Sequence, residues 1–140
     1  MFAQLQLLLT QSKQFSADYW HDCALFEAEN CLKSFQAQDW NALAQNLPQQ
    51  DAYWKQRCID ALAILPSAES IGILSTLCDD ADRHTAHAAA RTLLGFKHKN
   101  DLSDAAAEAL QPAIGKALAT TRQNGFFSRL KQYFFLHQAV

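Results

Sequence analysis

Apolar residues recur along most of the chain at the spacing of helix faces. Phe2, Leu5, Leu8 and Leu9 make one stripe, and Trp20, Cys23, Ala24, Ala28, Cys31, Leu32 and Phe35 make a second that ends near Phe35. Steps of three and four residues put such side chains on one side of an α-helix. Trp40, Leu43, Ala44 and Leu47 form a third stripe, begun by Asp39 and stopped by Pro48, which disfavours a helical residue before it. Trp54, Cys58, Ala61, Leu62 and Leu65 follow Asp51, and Ile71, Leu74, Leu77 and Cys78 follow Pro66-Ser67. The next stripe is Ala86, Ala89, Ala90, Leu93 and Leu94, with Gly95 placed to supply a left-handed cap and Lys97-His98-Lys99 a basic turn. An alanine-rich helix is expected from Asp101 to about Thr121, kinked or split at Pro112. Asn124-Gly125 marks a turn before a last amphipathic helix carrying Phe126, Phe127, Leu130, Tyr133, Phe134 and His137. Ser16, Asp51 and Asp82 stand where side-chain oxygens can accept from the free amides that open a helix.

The stripes repeat. Sliding the sequence by 31 positions lays Trp40 on Ile71, Leu43 on Leu74, Asp51 on Asp82, Cys58 on Ala89, Leu62 on Leu93 and Leu65 on Phe96. A shift of about 30 lays Ala28 on Cys58, Leu32 on Leu62 and Phe35 on Leu65. Self-similarity at such a period is the signature of stacked two-helix units, each able to bury its apolar face only against its neighbours. The expectation is one all-α domain over residues 1–140, a right-handed α-solenoid of antiparallel helix pairs with about six or seven helices.

Composition agrees with a helical protein. Hydrophobic residues make up 49% and charged residues 19%, with only four glycines and three prolines to break helices. The opening MFAQLQLLLT has no early basic residue and is interrupted by Gln4 and Gln6, so it reads as a first helix and not as a signal peptide. No apolar run approaches the ~18 residues of a membrane span. A cytoplasmic protein with no membrane partner is expected. Charge is graded: residues 1–60 and 61–108 each hold seven acids and four bases, whereas 109–140 holds four bases and no acid. Four dispersed cations, Lys116, Arg122, Arg129 and Lys131, are few for a phosphate backbone, and the acidic remainder argues against a nucleic-acid groove.

Candidate chemistry is sparse. The cysteines at 23, 31, 58 and 78 match neither a redox pair nor a zinc set and read as reduced thiols packed in helix cores. His84 and His87 lie three apart on one side of a helix, just after Asp79, Asp80 and Asp82, with the donor types a divalent ion takes. Helix capping already accounts for the recurring aspartate, and no second ligand-bearing segment is identifiable. No metal or other cofactor is expected. The chain has no glycine-rich phosphate loop, no GxSxG elbow and no HExxH, and a non-enzymatic role is expected.

The pair Ala61-Leu62 with Ile71, Leu74 and Leu77, then the acidic turn before Ala89-Ala90 and Thr92-Leu93, resembles the short HEAT-like repeats first noted in phycobilin lyases. The resemblance covers about residues 39–110. It departs from the family pattern six residues before the alanine-leucine pair, where Lys55 and Ala86 stand in place of an arginine. It implies a solenoid whose second helices line a concave face, and makes Asn41, Gln45, Glu69 and Ser75 candidates for partner contact. Charge adds the acidic turn Asp79, Asp80 and Asp82 and the basic Arg122, Arg129 and Lys131. Tyr53 adds a binding anchor, since beside inward-facing Trp54 it must point elsewhere. The expected function is protein binding, most specifically a cytosolic immunity protein that neutralises a bacterial toxin domain. The alternatives are a scaffold or adaptor subunit and, as the family name suggests, a chromophore lyase or chaperone.

Overall fold

The computed structural model describes residues 1–119 of the 140, and every regular element among them is helical. Helix α1 (Phe2–Gln11) runs into a 3₁₀ turn (Ser12–Gln14). Helix α2 (Ala17–Tyr19) continues through a π-helical turn (Trp20–Ala24) into α3 (Leu25–Lys33) without a break. Next come α4 (Ala37–Asn46) with a 3₁₀ turn (Leu47–Gln49), α5 (Ala52–Leu62), α6 (Ala68–Leu77) and α7 (Arg83–His98). Helix α8 spans 104–119. The expected Asn124-Gly125 turn, the last amphipathic helix and the basic Arg122, Arg129 and Lys131 lie outside the described residues.

Short polar side chains start most of these helices. The side chains of Ser16, Asp51, Ser67 and Asp82 accept from the backbone N–H of Tyr19, Trp54, Ser70 and Thr85, in each case three residues on. Ser103 does the same for Ala106 at the head of α8. Helix α4 opens instead with a capping box in which Gln36 and Asp39 serve each other's backbone amides. Asp39 is therefore the third residue of its helix and not the one that begins it. Its other oxygen accepts from the backbone N–H of Phe2 at 3.1 Å, tying the head of α4 to the head of α1.

The 31-residue shift holds in three dimensions. Leu43 and Leu74 are both buried, as are Cys58 and Ala89, and Leu62 and Leu93, while Asp51 and Asp82 both cap. Ala28 and Leu32 match Cys58 and Leu62 in the same way. These equivalent rows meet: α5 packs against α3 on one side and α7 on the other, α6 lies along α7, and α1 covers α3, α4 and α5. One apolar cluster runs through all of them, from Leu5 in α1 to Ile114 and Ala117 in α8. Each fully buried leucine in such a cluster is worth about 1.5–3 kcal/mol.

Four further positions differ from expectation. Cys23 is exposed, although Trp20, Ala24, Ala28 and Leu32 around it face inward. The wider π turn rotates less per residue than an α turn, so three residues after Trp20 the chain has not come back round to the core. Ala44 is exposed because the inward row of α4 is Leu43 and Leu47, one turn apart. Gly95 does not end α7: the helix carries on through Lys97-His98, burying Phe96 on the way. The left-handed residue is Asn100, with φ 59°. The amides of Asp101 and Asn100 donate back to the carbonyls of Phe96 (2.8 Å) and Lys97 (3.1 Å), the paired bonds of a Schellman stop. Finally, α8 passes through Pro112 as one helix and is not split there.

Candidate functional site: the acidic turn and its clefts

Helix α6 ends at Leu77 and α7 is capped by Asp82, so Cys78 to Ala81 must turn the chain within a few residues. The amides of Asp79 and Asp80 donate to the carbonyls of Thr76 (3.2 Å) and Leu77 (3.1 Å), winding the turn tightly. The three aspartates then diverge. Asp82 caps α7, accepting from both the amide (3.0 Å) and the hydroxyl (2.7 Å) of Thr85. Those bonds, the hydroxyl's first, hold its carboxyl below the usual aspartate range. Asp80 uses one oxygen to accept from the amide of Asp82 at 2.9 Å and the other to pair with Lys55 Nζ at 2.6 Å. Both partners of that pair are only 12% exposed, so it rivets the turn to α5. Asp79 remains at the surface, 67% exposed and 3.9 Å from the ammonium of Lys116, itself 78% exposed.

Two open clefts flank this turn and share Asp79, Asp80 and Ala81 in their walls. One, of about 210 Å³, is floored by Cys78, Ala86 and Ala117 and rimmed by Arg83 and Lys116. The other, of about 390 Å³, is walled by Leu47 and Pro48 at the end of α4 and by Thr76 and Leu77 at the end of α6. The ends of α4 and α6 thus converge here. Each cleft combines an apolar floor with a few fixed charges, a surface suited to a protruding side chain of a partner.

The remaining sequence candidates are dispersed. Asn41 and Gln45 are exposed on α4 and Glu69 is exposed in the first turn of α6, while Ser75 is half-buried. All four lie on the two helices whose ends wall the larger cleft. Tyr53 is elsewhere, at the head of α5, 39% exposed with its hydroxyl donating to the carbonyl of Ser12. His84 is exposed and His87 half-buried. Among the described residues no three His, Cys, Asp or Glu side chains converge as a metal set.

The thiols sort by burial. Cys58 is enclosed in the core, and desolvation, aided by the charge of Asp60, pushes its thiol up to about 12. Burial first, and Asp79 second, push Cys78 up to about 11. Both are protonated at neutral pH and poor nucleophiles.

Two contributors escaped the sequence. Lys55 is recognisable there only as a departure from a repeat pattern, and its partner lies 25 residues away. Arg57 forms an i,i+4 pair with Tyr53 that could have been read locally, but its second aromatic neighbour, Trp20, is brought to it only by packing. No helix among the described residues is long and apolar enough to cross a membrane. In comparisons with known proteins the chain matches no family model, no curated protein and no solved structure.

Proposed function

We propose that this chain is a non-enzymatic protein-binding module, a right-handed α-solenoid of HEAT-like antiparallel helix pairs, and that it acts in the cytoplasm as an immunity protein against a toxin domain. The observation that carries the binding role is the acidic turn. Asp79 stands exposed between two clefts on a backbone that Lys55–Asp80 and the Asp82 cap have already immobilised. A partner lysine or arginine meeting Asp79 need not order the turn, so little of the interaction is lost to conformational entropy. Steering by such a charge favours fast association, the property an inhibitor of a toxic domain needs.

Co-expression tests the specific role. The protein is produced together with the C-terminal domain of whatever large reading frame lies immediately upstream of its gene. Rescue of growth from a lethal domain supports the immunity reading, and Asp79→Lys is expected to weaken rescue while leaving thermal unfolding unchanged. A lethal domain that is not rescued removes the toxin as partner. The scaffold reading then stands, favoured by the exposed apolar Leu7 and Phe26, and predicts that the chain elutes from native extract within a larger complex.

A further inference from the structure

Arg57 lies one helical turn after Tyr53 on α5, and its guanidinium carbon sits 4.7 Å from the ring centroid of Trp20 and 4.9 Å from that of Tyr53. Both rings lie within cation–π distance of the cation, whose N–H groups point outward in its plane. Nη2 donates to the Tyr53 hydroxyl, which in turn donates to the carbonyl of Ser12 at 3.2 Å, so the group is held in one orientation. Among the guanidinium nitrogens only Nε is shut away from solvent without a partner.

What this arginine lacks is a carboxylate. It takes part in no ion pair among the described residues. Asp60, three residues on along the same helix, serves other donors. Oδ2 accepts from the indole N–H of Trp20 at 3.0 Å and Oδ1 from the side-chain amide of Gln56 at 3.2 Å. The fold thus fixes a guanidinium between two aromatic side chains, with the local acid bonded to other donors. Tyr53, 39% exposed beside it, and the arginine itself are of the residue types enriched where binding energy concentrates at protein interfaces.

We propose that Arg57 is a preformed carboxylate receptor that accepts an aspartate or glutamate side chain of the bound protein. A planar carboxylate matches the in-plane edge of the guanidinium, which pairs with no acid among the described residues. This deepens the protein-binding reading and rests on it. Lys55 and Arg57 lie two positions apart on α5, about 200° round the helix, so α5 braces the acidic turn on one side and presents this cation on the other. The two sites together would select a partner carrying both a basic and an acidic contact residue.

The test follows the Arg57 Nε–Hε resonance of ¹⁵N-labelled full-length protein, which the burial of Nε shields from rapid exchange. Hexaglutamate peptide is titrated in, with hexalysine and sodium phosphate as separate arms. The expected result is a saturable shift with hexaglutamate, none with hexalysine, and several-fold weaker binding in Tyr53→Phe, which loses the hydroxyl that fixes Nη2. An unmoved resonance, an equal response to hexalysine, or a response to phosphate alone overturns the proposal. Because the wild-type titration needs neither the partner nor a variant that folds, a null result removes the receptor and leaves the protein-binding reading in place. Failure of toxin rescue alongside a positive titration removes the toxin and keeps the receptor.

Discussion

An aspartate at the head of a helix stabilises most while it is ionised, and three of them in this chain are held that way. Asp51 is lowered below the usual range by the Lys13 ammonium first and the Trp54 amide second, and Asp82 by the hydroxyl and amide of Thr85. Asp39 is lowered by the amides of Gln36 and Phe2. Depressed folded values mean that this stability is fully present above the unfolded aspartate value of ~3.9. It is lost as pH falls through the lower folded values, because the unfolded chain takes up the proton first. Urea midpoints measured from pH 7 down to 2.5 should therefore drop below about pH 4. In Asp82→Asn, which can still cap, that drop should be shallower. Asp82→Ala should cost ~1 kcal/mol at neutral pH through loss of the cap. Thiols offer an independent residue-scale check. At pH 8 in the native state iodoacetamide should label Cys23, while Cys58 and Cys78, with thiols pushed up to about 12 and about 11, should react only after unfolding. Rapid native labelling of Cys58 would contradict its place in the core. The caps at Ser16, Asp51 and Asp82 were legible in the sequence because donor and acceptor lie three residues apart. The exposure of Cys23 was not, because a π turn has no local spelling that its stripe of neighbours betrays.

At the scale of the element, the end of α7 shows how a local signal can mislead. Glycine after an apolar stripe usually marks a stop, yet here the stripe steps on from Leu93 to Phe96 and burial of that ring carries the helix past Gly95. The 31-residue match of Leu65 with Phe96 already hinted that the core extends this far. Glycine inside a helix is a liability with no offsetting need at this position, since a Cβ built on Gly95 would meet nothing within 4 Å. Gly95→Ala should stabilise the protein by roughly 0.5–1 kcal/mol in thermal or urea unfolding. Asn100 should behave oppositely. Its positive φ suits asparagine or glycine, so Asn100→Ala should destabilise by about 1 kcal/mol while Asn100→Gly is near neutral. If alanine proves harmless at 100 and harmful at 95, the helix ends where the sequence first suggested.

In the whole molecule, the same kind of charge pair has two different worths. Lys55–Asp80 is mostly shielded from solvent and joins α5 to the α6–α7 turn, whereas Asp79 and Lys116 face solvent. Exposed pairs are worth about 0–1 kcal/mol, and buried ones lose about 3–5 kcal/mol when one partner is removed. Lys55→Met should therefore cost an intermediate ~1–2 kcal/mol and loosen the turn, visible as faster amide exchange at residues 79–82, while Asp79→Asn should leave stability unchanged. Equal effects of the two substitutions would mean that the turn is not held by Lys55. By itself the sequence determined the all-helical class, most of the inward rows, the caps at Ser16, Asp51 and Asp82, and the match of buried positions 31 residues apart. Each of these depends on side chains within a turn or two of one another, or on a repeat that can be read by sliding the chain. Only tertiary structure decided that Lys55 meets Asp80, that Asp79 alone of its cluster is presented, and that Trp20 and Tyr53 clamp Arg57. Those contacts join residues 25 to 37 positions apart, or use a local neighbour only once a distant helix has fixed its direction. Position along one helix cannot specify which face of another it will meet; packing of the shared core does.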